Sequence, residues 1–127
     1  MIDPDLLQLA RGKNFAVLST LLPDGHPATQ VMWVDADEES MLVNTQVDRQ
    51  KWRNVQRDPR VTVTIWDRDN PYHFAEVRGR VVGTIDGQGA RDHIDNLSMK
   101  YHGHKYANPI TAPRVVLRIS ADKVVWH

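Results

Sequence analysis

The chain contains no cysteine among its 127 residues. That excludes disulfide frameworks, thiolate zinc sites and cysteine nucleophiles. It also carries no net charge, with 16 basic and 16 acidic side chains. Nucleic acid and anionic membrane surfaces both demand a positive excess, so neither is expected as a partner. No apolar run approaches the roughly 20 residues of a membrane span. The opening Met1-Ile2-Asp3-Pro4-Asp5 lacks the basic-then-apolar layout of a secretory leader, so a cytoplasmic protein is expected. At this length one domain, residues 1–127, can bury about two thirds of its unfolded surface without a metal or disulfide staple.

Local signals divide the chain into short elements. Asp3 before Pro4 reads as an N-cap and first helical position, with Leu6, Leu7 and Ala10 as the apolar stripe and Gly12 as the stop. Asn14 to Thr20 reads as a buried strand, Pro23-Asp24-Gly25 as a turn, and Ala28 to Asp35 as the returning arm of a hairpin. A turn at Asp37-Glu38-Glu39 leads to a third strand, Met41 to Thr45. Asp48 is placed to cap a short helix ending at Arg57, before Asp58-Pro59. From Arg60 to Trp66 apolar and polar residues alternate strictly, as in a half-buried strand.

After a predicted loop over Asp67 to Pro71 comes a long strand, Tyr72 to Ile85, with Gly79 and Gly83 on its apolar face. Glycines there imply a bend or a close backbone approach, as barrels require. The best helical spacing lies in Asp86 to Tyr101, with Gly103 at its C′ position. A last strand, Arg114 to Ser120, leads into Val124-Val125-Trp126. Six strands joined mostly by hairpins, with helices at the periphery, predict a mainly β, antiparallel barrel rather than a doubly wound sheet.

The most informative segment chemically is Asn44 to Arg57. Cations in the first turn of a helix are electrostatically misplaced, because that end carries partial positive charge and open N–H donors. Arg49 and Lys51 fall there. A bound anion, phosphate above all, reverses the penalty, and Thr45 and Gln46 can add donors. The alternative is that Asp48 caps and both cations point into water. Trp33, Trp66, Tyr72 and Phe74 can wall a planar cofactor or simply fill core.

Other patterns lead nowhere. His102 and His104 flank Gly103 and face opposite ways if extended, so no metal site is expected. His26 and His73 have no evident partner, and Gly87-Gln88-Gly89 lacks the third glycine of a dinucleotide loop. No serine or threonine sits on a nucleophile elbow. Asp92 and Asp95 read as the solvated face of their helix.

Several pieces, in order, carry a family likeness: Phe15 to Thr20, Pro23-Asp24-Gly25-His26-Pro27, and Val31-Met32-Trp33-Val34. They continue with Asp48 to Val55, Arg57-Asp58-Pro59-Arg60-Val61, Glu76-Val77-Arg78-Gly79 and Arg114-Val115-Val116-Leu117. Spanning nearly the whole chain, they resemble the FMN-binding split-barrel superfamily, the pyridoxamine 5′-phosphate oxidase-like proteins. Within it the sequence is most similar to enzymes that use the deazaflavin coenzyme F-420. The resemblance implies a six-stranded antiparallel split β-barrel and a homodimer with cofactor sites at the subunit interface.

It further implies that Arg49 and Lys51 hold the cofactor phosphate. Thr29, Gln30, Val31, Met32 and Trp33 would line the ring and ribityl chain with Asn44, Thr45 and Gln46, while Tyr72 and Phe74 would come from the other subunit. The implied activity is hydride transfer from F-420 to an unsaturated small organic substrate. An FMN-dependent oxidoreductase is the alternative, followed by a non-catalytic cofactor- or haem-binding barrel. No side chain is marked as an acid or base. Without a recognisable pyridoxal-phosphate-binding tail, vitamin B6 oxidation is not expected.

Overall fold

In the computed structural model, which describes residues 1–127, eleven elements follow one another along the chain. They are α1 (Pro4–Arg11), β1 (Phe15–Leu21), β2 (Pro27–Trp33), β3 (Asp35–Ala36), β4 (Met41–Gln46), α2 (Gln50–Arg57), β5 (Arg60–Asp67), β6 (Asn70–Ile85), α3 (Gly87–His102), β7 (Arg114–Ile119) and β8 (Lys123–Trp126). The strands form an antiparallel sheet ordered β2-β1-β5-β6-β7-β4-β3, with β8 on β6. All pairings are antiparallel, as hairpin connections favour.

Alternation sets the register. Ala16 and Leu18 of β1 stand opposite Ile65 and Val63 of β5, and Val63 and Ile65 stand opposite Val77 and Ala75 of β6. All six are buried. A slip of one residue would turn each of them to solvent. Leu6, Leu9 and Ala10 of α1 close one end of this core. On the outer face of β4 and β7, α3 packs Ala90 against Leu42 and Val116. Its Ile94, Leu97 and Tyr101 gather Trp33 and Tyr106.

The long strand β6 carries the barrel. Its first part pairs with β5 on one edge and β8 on the other, and its last part pairs with β7. Between Val81 and Gly83 the register shifts by a bulge, which bends the strand. At Gly79 a side chain would collide with the Ser120 carbonyl, so this glycine serves a close backbone approach. At the far side of the molecule β2 lies beside β4 without pairing to it through backbone hydrogen bonds. The barrel is split along that seam.

Several local expectations need correction. There are eight strands, not six. The two-residue β3 rests on Met41 and Leu42 of β4. The stretch Val124-Val125-Trp126 belongs to β8, which keeps the same ladder along β6 after a break over Ser120 to Asp122. The expected loop over Asp67 to Pro71 shrinks to a turn at Arg68–Asp69, because Asp67 Oδ1 accepts from Asp69 N at 2.8 Å and Asn14 Oδ1 holds Arg68 N at 3.1 Å. Helix α2 starts after Arg49, which is its N-cap residue, and no side chain caps it. Asp48 instead lies one residue outside, accepting weakly from Gln46 Nε2 at 3.4 Å. By contrast Asp3 does cap α1, and Gly103 ends α3 at a φ of 81°.

Candidate functional site

The seam between β2 and β4 opens into a groove. Its larger part, about 460 Å³, is lined by Gln30 and Val31 from β2, Asn44, Thr45 and Gln46 from β4, Arg49 and Lys51 at the start of α2, and Arg114 at the start of β7. Residue types explain the local shape. β4 ends at Gln46, whose carbonyl accepts from Arg49 N at 3.1 Å, and this tight turn swings the chain into α2. The uncapped first turn of that helix and both of its cations therefore face the seam.

Arg49, Lys51 and Arg114 bring three positive charges to one wall, and no carboxylate lines it. Arg49 pairs with Asp48, whose Oδ1 lies 4.0 Å from Arg49 Nε, but both side chains are exposed and the pair contributes little. The half-buried Lys51 ammonium is pushed below its ordinary value, first by burial and then by the positive charges of Arg49 and Arg114. Arg114 is half-buried too: burial works against its charge most, contact with Tyr106 offsets part of this, and Arg49 and Arg91 add to the penalty. Its Nε donates to Asn44 Oδ1 at 2.8 Å, and its guanidinium lies over the Tyr106 ring, 5.4 Å from the centroid. Such an uncompensated cluster is costly unless an anion completes it.

Asn44 and Arg114 are also the common wall of a second, more apolar recess of about 270 Å³, which adds Met32, Trp33, Ile94, Leu97, Tyr106 and Asn108. Trp33 is held in place there. It stacks on Tyr101 at 5.1 Å and 6°, and meets His102 and Tyr106 edge-on. Tyr101 is itself locked, its hydroxyl donating to the Asn14 carbonyl and accepting from Val34 N at 3.2 Å.

Of the residues expected from sequence, Gln30, Val31, Asn44, Thr45, Gln46, Arg49 and Lys51 meet in the larger recess. Met32 and Trp33 meet in the smaller one. Thr29 does not join them: it stands opposite Ser19 in the hairpin, and the two hydroxyls are 3.2 Å apart. Tyr72 and Phe74, expected to reach the groove from a second subunit, lie away from the groove of their own chain. Tyr72 is 84% exposed at the start of β6, and Phe74 stacks on the His127 ring at 4.5 Å.

Arg114 is the residue that sequence reasoning missed as a site group. A third cation just after Pro113 is visible in the sequence, but only the pairing of β7 with β4, which sets Arg114 opposite Gln46, brings it to the seam. Two other readings change. The rings of His102 and His104 do not diverge; they stack at 5.6 Å and 11°, since the left-handed Gly103 folds the chain back. Asp95 is not on a solvated face: it accepts from Tyr106 N at 3.1 Å and pairs with Arg91 at 3.3 Å, anchoring the loop beside the groove.

The donor set fits a phosphorylated planar group. Three cations and an uncapped helix start suit a phosphate, and the aromatic recess beside them suits a flat heterocycle. No helix is long and apolar enough to cross a membrane.

Known proteins share this fold. A solved F-420 reductase is 28% identical, with a TM-score of 0.82, over 93% of this chain and 94% of that one. A conserved hypothetical protein of Mycobacterium tuberculosis has a TM-score of 0.74 at 23% identity, covering 98% of this chain and 82% of its own. General stress protein 26 of Bacillus anthracis has a TM-score of 0.71 at 20% identity, covering 94% of this chain and 88% of its own. These two likenesses, at low identity, are of fold. The family model for pyridoxamine 5′-phosphate oxidase matches residues 2–126. With that match across nearly its whole length, and with a split barrel whose seam carries a cationic recess, the chain belongs to the pyridoxamine 5′-phosphate oxidase family.

Proposed function

We propose that this chain is an oxidoreductase that binds coenzyme F-420 in the seam and uses it to reduce an unsaturated small organic molecule. The observation that carries the reading is the convergence of Arg49, Lys51 and Arg114 on one recess without a carboxylate. Likeness to an F-420 reductase over 93% of the chain supports the choice of deazaflavin over FMN. When bound, the deazaflavin supplies a hydride from its ring carbon.

The residues of the chain bind and orient. Arg49, Lys51 and Arg114 hold the phosphate, with the open N–H groups of α2 behind them. Gln46 and Thr45, each 3% exposed, offer polar atoms from a rigid strand end, where little rotamer entropy is lost on binding. Trp33 and Met32 give the flat group an apolar surface and exclude water from one side. A second copy of the chain covers the other side. Val31 (66% exposed), beside the groove, and Tyr72 (84% exposed) are among the exposed apolar side chains available for that contact.

Parallel calorimetric titrations with F-420 and FMN test the reading. F-420 should bind at least tenfold tighter than FMN, a difference of about 1.4 kcal/mol, and a separate absorbance assay should find reduced F-420 reoxidised by an enone or nitroaromatic acceptor. Tighter FMN binding would replace the deazaflavin assignment with the FMN one. Failure of both to bind would remove the cofactor reading. Light scattering that found a stable monomer would refute the shared site.

A further inference from the structure

Behind the groove, Asn44 is the centre of a hydrogen-bonded chain whose direction is dictated by chemistry. Arg114 Nε has only a hydrogen to give, and it donates to Asn44 Oδ1 at 2.8 Å. The amide nitrogen therefore faces α3. There it donates to the Ala90 carbonyl at 2.9 Å and meets His93 Nδ1 at 3.1 Å. Both amide hydrogens are then used, and His93 Nδ1 can only accept. The imidazole hydrogen sits on Nε2, buried and without a hydrogen-bond partner, with Asp35 Oδ2 at 3.8 Å.

We infer that His93 is a positioning residue for the anion recess: in its neutral, Nε2-protonated form it fixes the Asn44 amide in the orientation that restrains Arg114, and a proton on Nδ1 undoes that restraint. The inference rests on the phosphate reading of the groove. A protonated His93 would set an Nδ1–H donor against the Asn44 Nδ2–H donor. Turning the amide over would relieve that clash only by setting Nδ2 against the Arg114 Nε–H and Oδ1 against the Ala90 carbonyl. Every arrangement of the charged ring leaves like against like, and a mispaired buried donor is expensive.

The surroundings determine when this happens. His93 packs between α3, β3, β4 and β7, with its side chain 12% exposed. Burial is the largest influence and disfavours the proton. Asp35 on β3 favours it, while Lys100 on α3 and Arg114 on β7 oppose it. The balance holds His93 below its ordinary value of 6.5, so the restraint is intact at neutral pH and fails in acid. Anion affinity should accordingly be complete above that value and fall as the pH drops through the lowered one.

The test is calorimetric titration of F-420 and of FMN into the wild-type protein, His93→Leu and His93→Asn, at about pH 8 and about pH 5. His93→Leu leaves an amide hydrogen of Asn44 unpaired and should weaken binding by about fivefold at the higher pH. His93→Asn returns an acceptor that does not titrate, and should recover most of that loss. Between the two pH values the wild type should lose about fivefold more affinity than His93→Asn. Ionisation of the ligand is common to both proteins and cancels.

Equal pH dependence in the wild type and His93→Asn would overturn the inference, as would acid tightening of the wild type relative to the variant. Binding without that difference separates this failure from the failure of the phosphate reading, in which neither ligand binds the wild type at about pH 8 and the inference falls with it. Should the variants not fold, imidazole ¹⁵N shifts of the wild type decide: hydrogen on Nε2 above neutrality supports the inference, and hydrogen on Nδ1 refutes it.

Discussion

Replacing Lys51 with methionine removes one ammonium from the seam and keeps an unbranched stem of similar length. That stem passes Leu18 and Ala28 beside a small, mostly polar-lined void of about 30 Å³, and methionine's flexible stem can follow the same path. Two effects of opposite sign follow. In the free protein the Lys51 charge is disfavoured by burial and by Arg49 and Arg114, so its pKa is lower folded than unfolded and the charged form costs stability. Methionine relieves that cost, and the free protein should gain about 0.5–1 kcal/mol. For a chain of this size the gain raises Tm by about 2–5 °C.

With ligand present the sign reverses. A charge-assisted hydrogen bond to phosphate contributes about 1.5–3 kcal/mol, so the affinity for F-420 or FMN should fall by about 10- to 150-fold. Thermal melts without ligand and calorimetric titration with each ligand read the two effects separately. A variant that melts earlier yet binds as before would refute the reasoning, because Lys51 would then be part of the scaffold. Unchanged affinity with a raised Tm would keep the electrostatic strain but remove the phosphate contact.

Two further predictions concern the frame. Gly79→Ala sets a methyl against the Ser120 carbonyl where the chain between β7 and β8 passes β6, and should lower the unfolding free energy by about 2–4 kcal/mol, read as a lower urea midpoint at unchanged slope. A normal midpoint would mean that the two strands part without cost. Tyr101 is pushed up to about 12, chiefly by burial, so its neutral form is favoured in the fold. That contribution is complete below the ordinary value of 10.0 and is lost as the pH rises towards about 12. Denaturant titrations across this range should find stability falling, and Tyr101→Phe should remove most of the fall while costing about 1–3 kcal/mol at neutral pH for the two backbone groups left unpaired. An alkaline fall of equal size in the variant would assign it to other groups.

How much was legible in the sequence follows from the range of each interaction. Asp3-Pro4, the strict alternation from Arg60 to Trp66, and Gly103 after Tyr101 are signals confined to a few residues, and the structure places a cap, a strand and a left-handed stop there. The misplaced cations Arg49 and Lys51 also spoke locally, since a helix start repels positive charge whatever surrounds it. The N-cap of α2 falls one residue later than the sequence pattern predicts: Asp48 has the right chemistry, but the turn from Gln46 to Arg49 determines which residue adopts the cap backbone.

What tertiary structure alone decided is where distant segments meet. Arg114 bonds Asn44 across 70 residues of chain, and His93 meets the same amide across 49. Thr29 lies outside the groove with its hydroxyl 3.2 Å from that of Ser19, although its neighbours Gln30 and Val31 line the recess. Local sequence specified the alternating strands, the cap of α1, the stop of α3 and two of the three cations, because those depend on neighbours along the chain. The bend of β6, the unpaired seam between β2 and β4, and the third cation depend on pairing energies summed over the whole sheet, and no local stretch contains that sum.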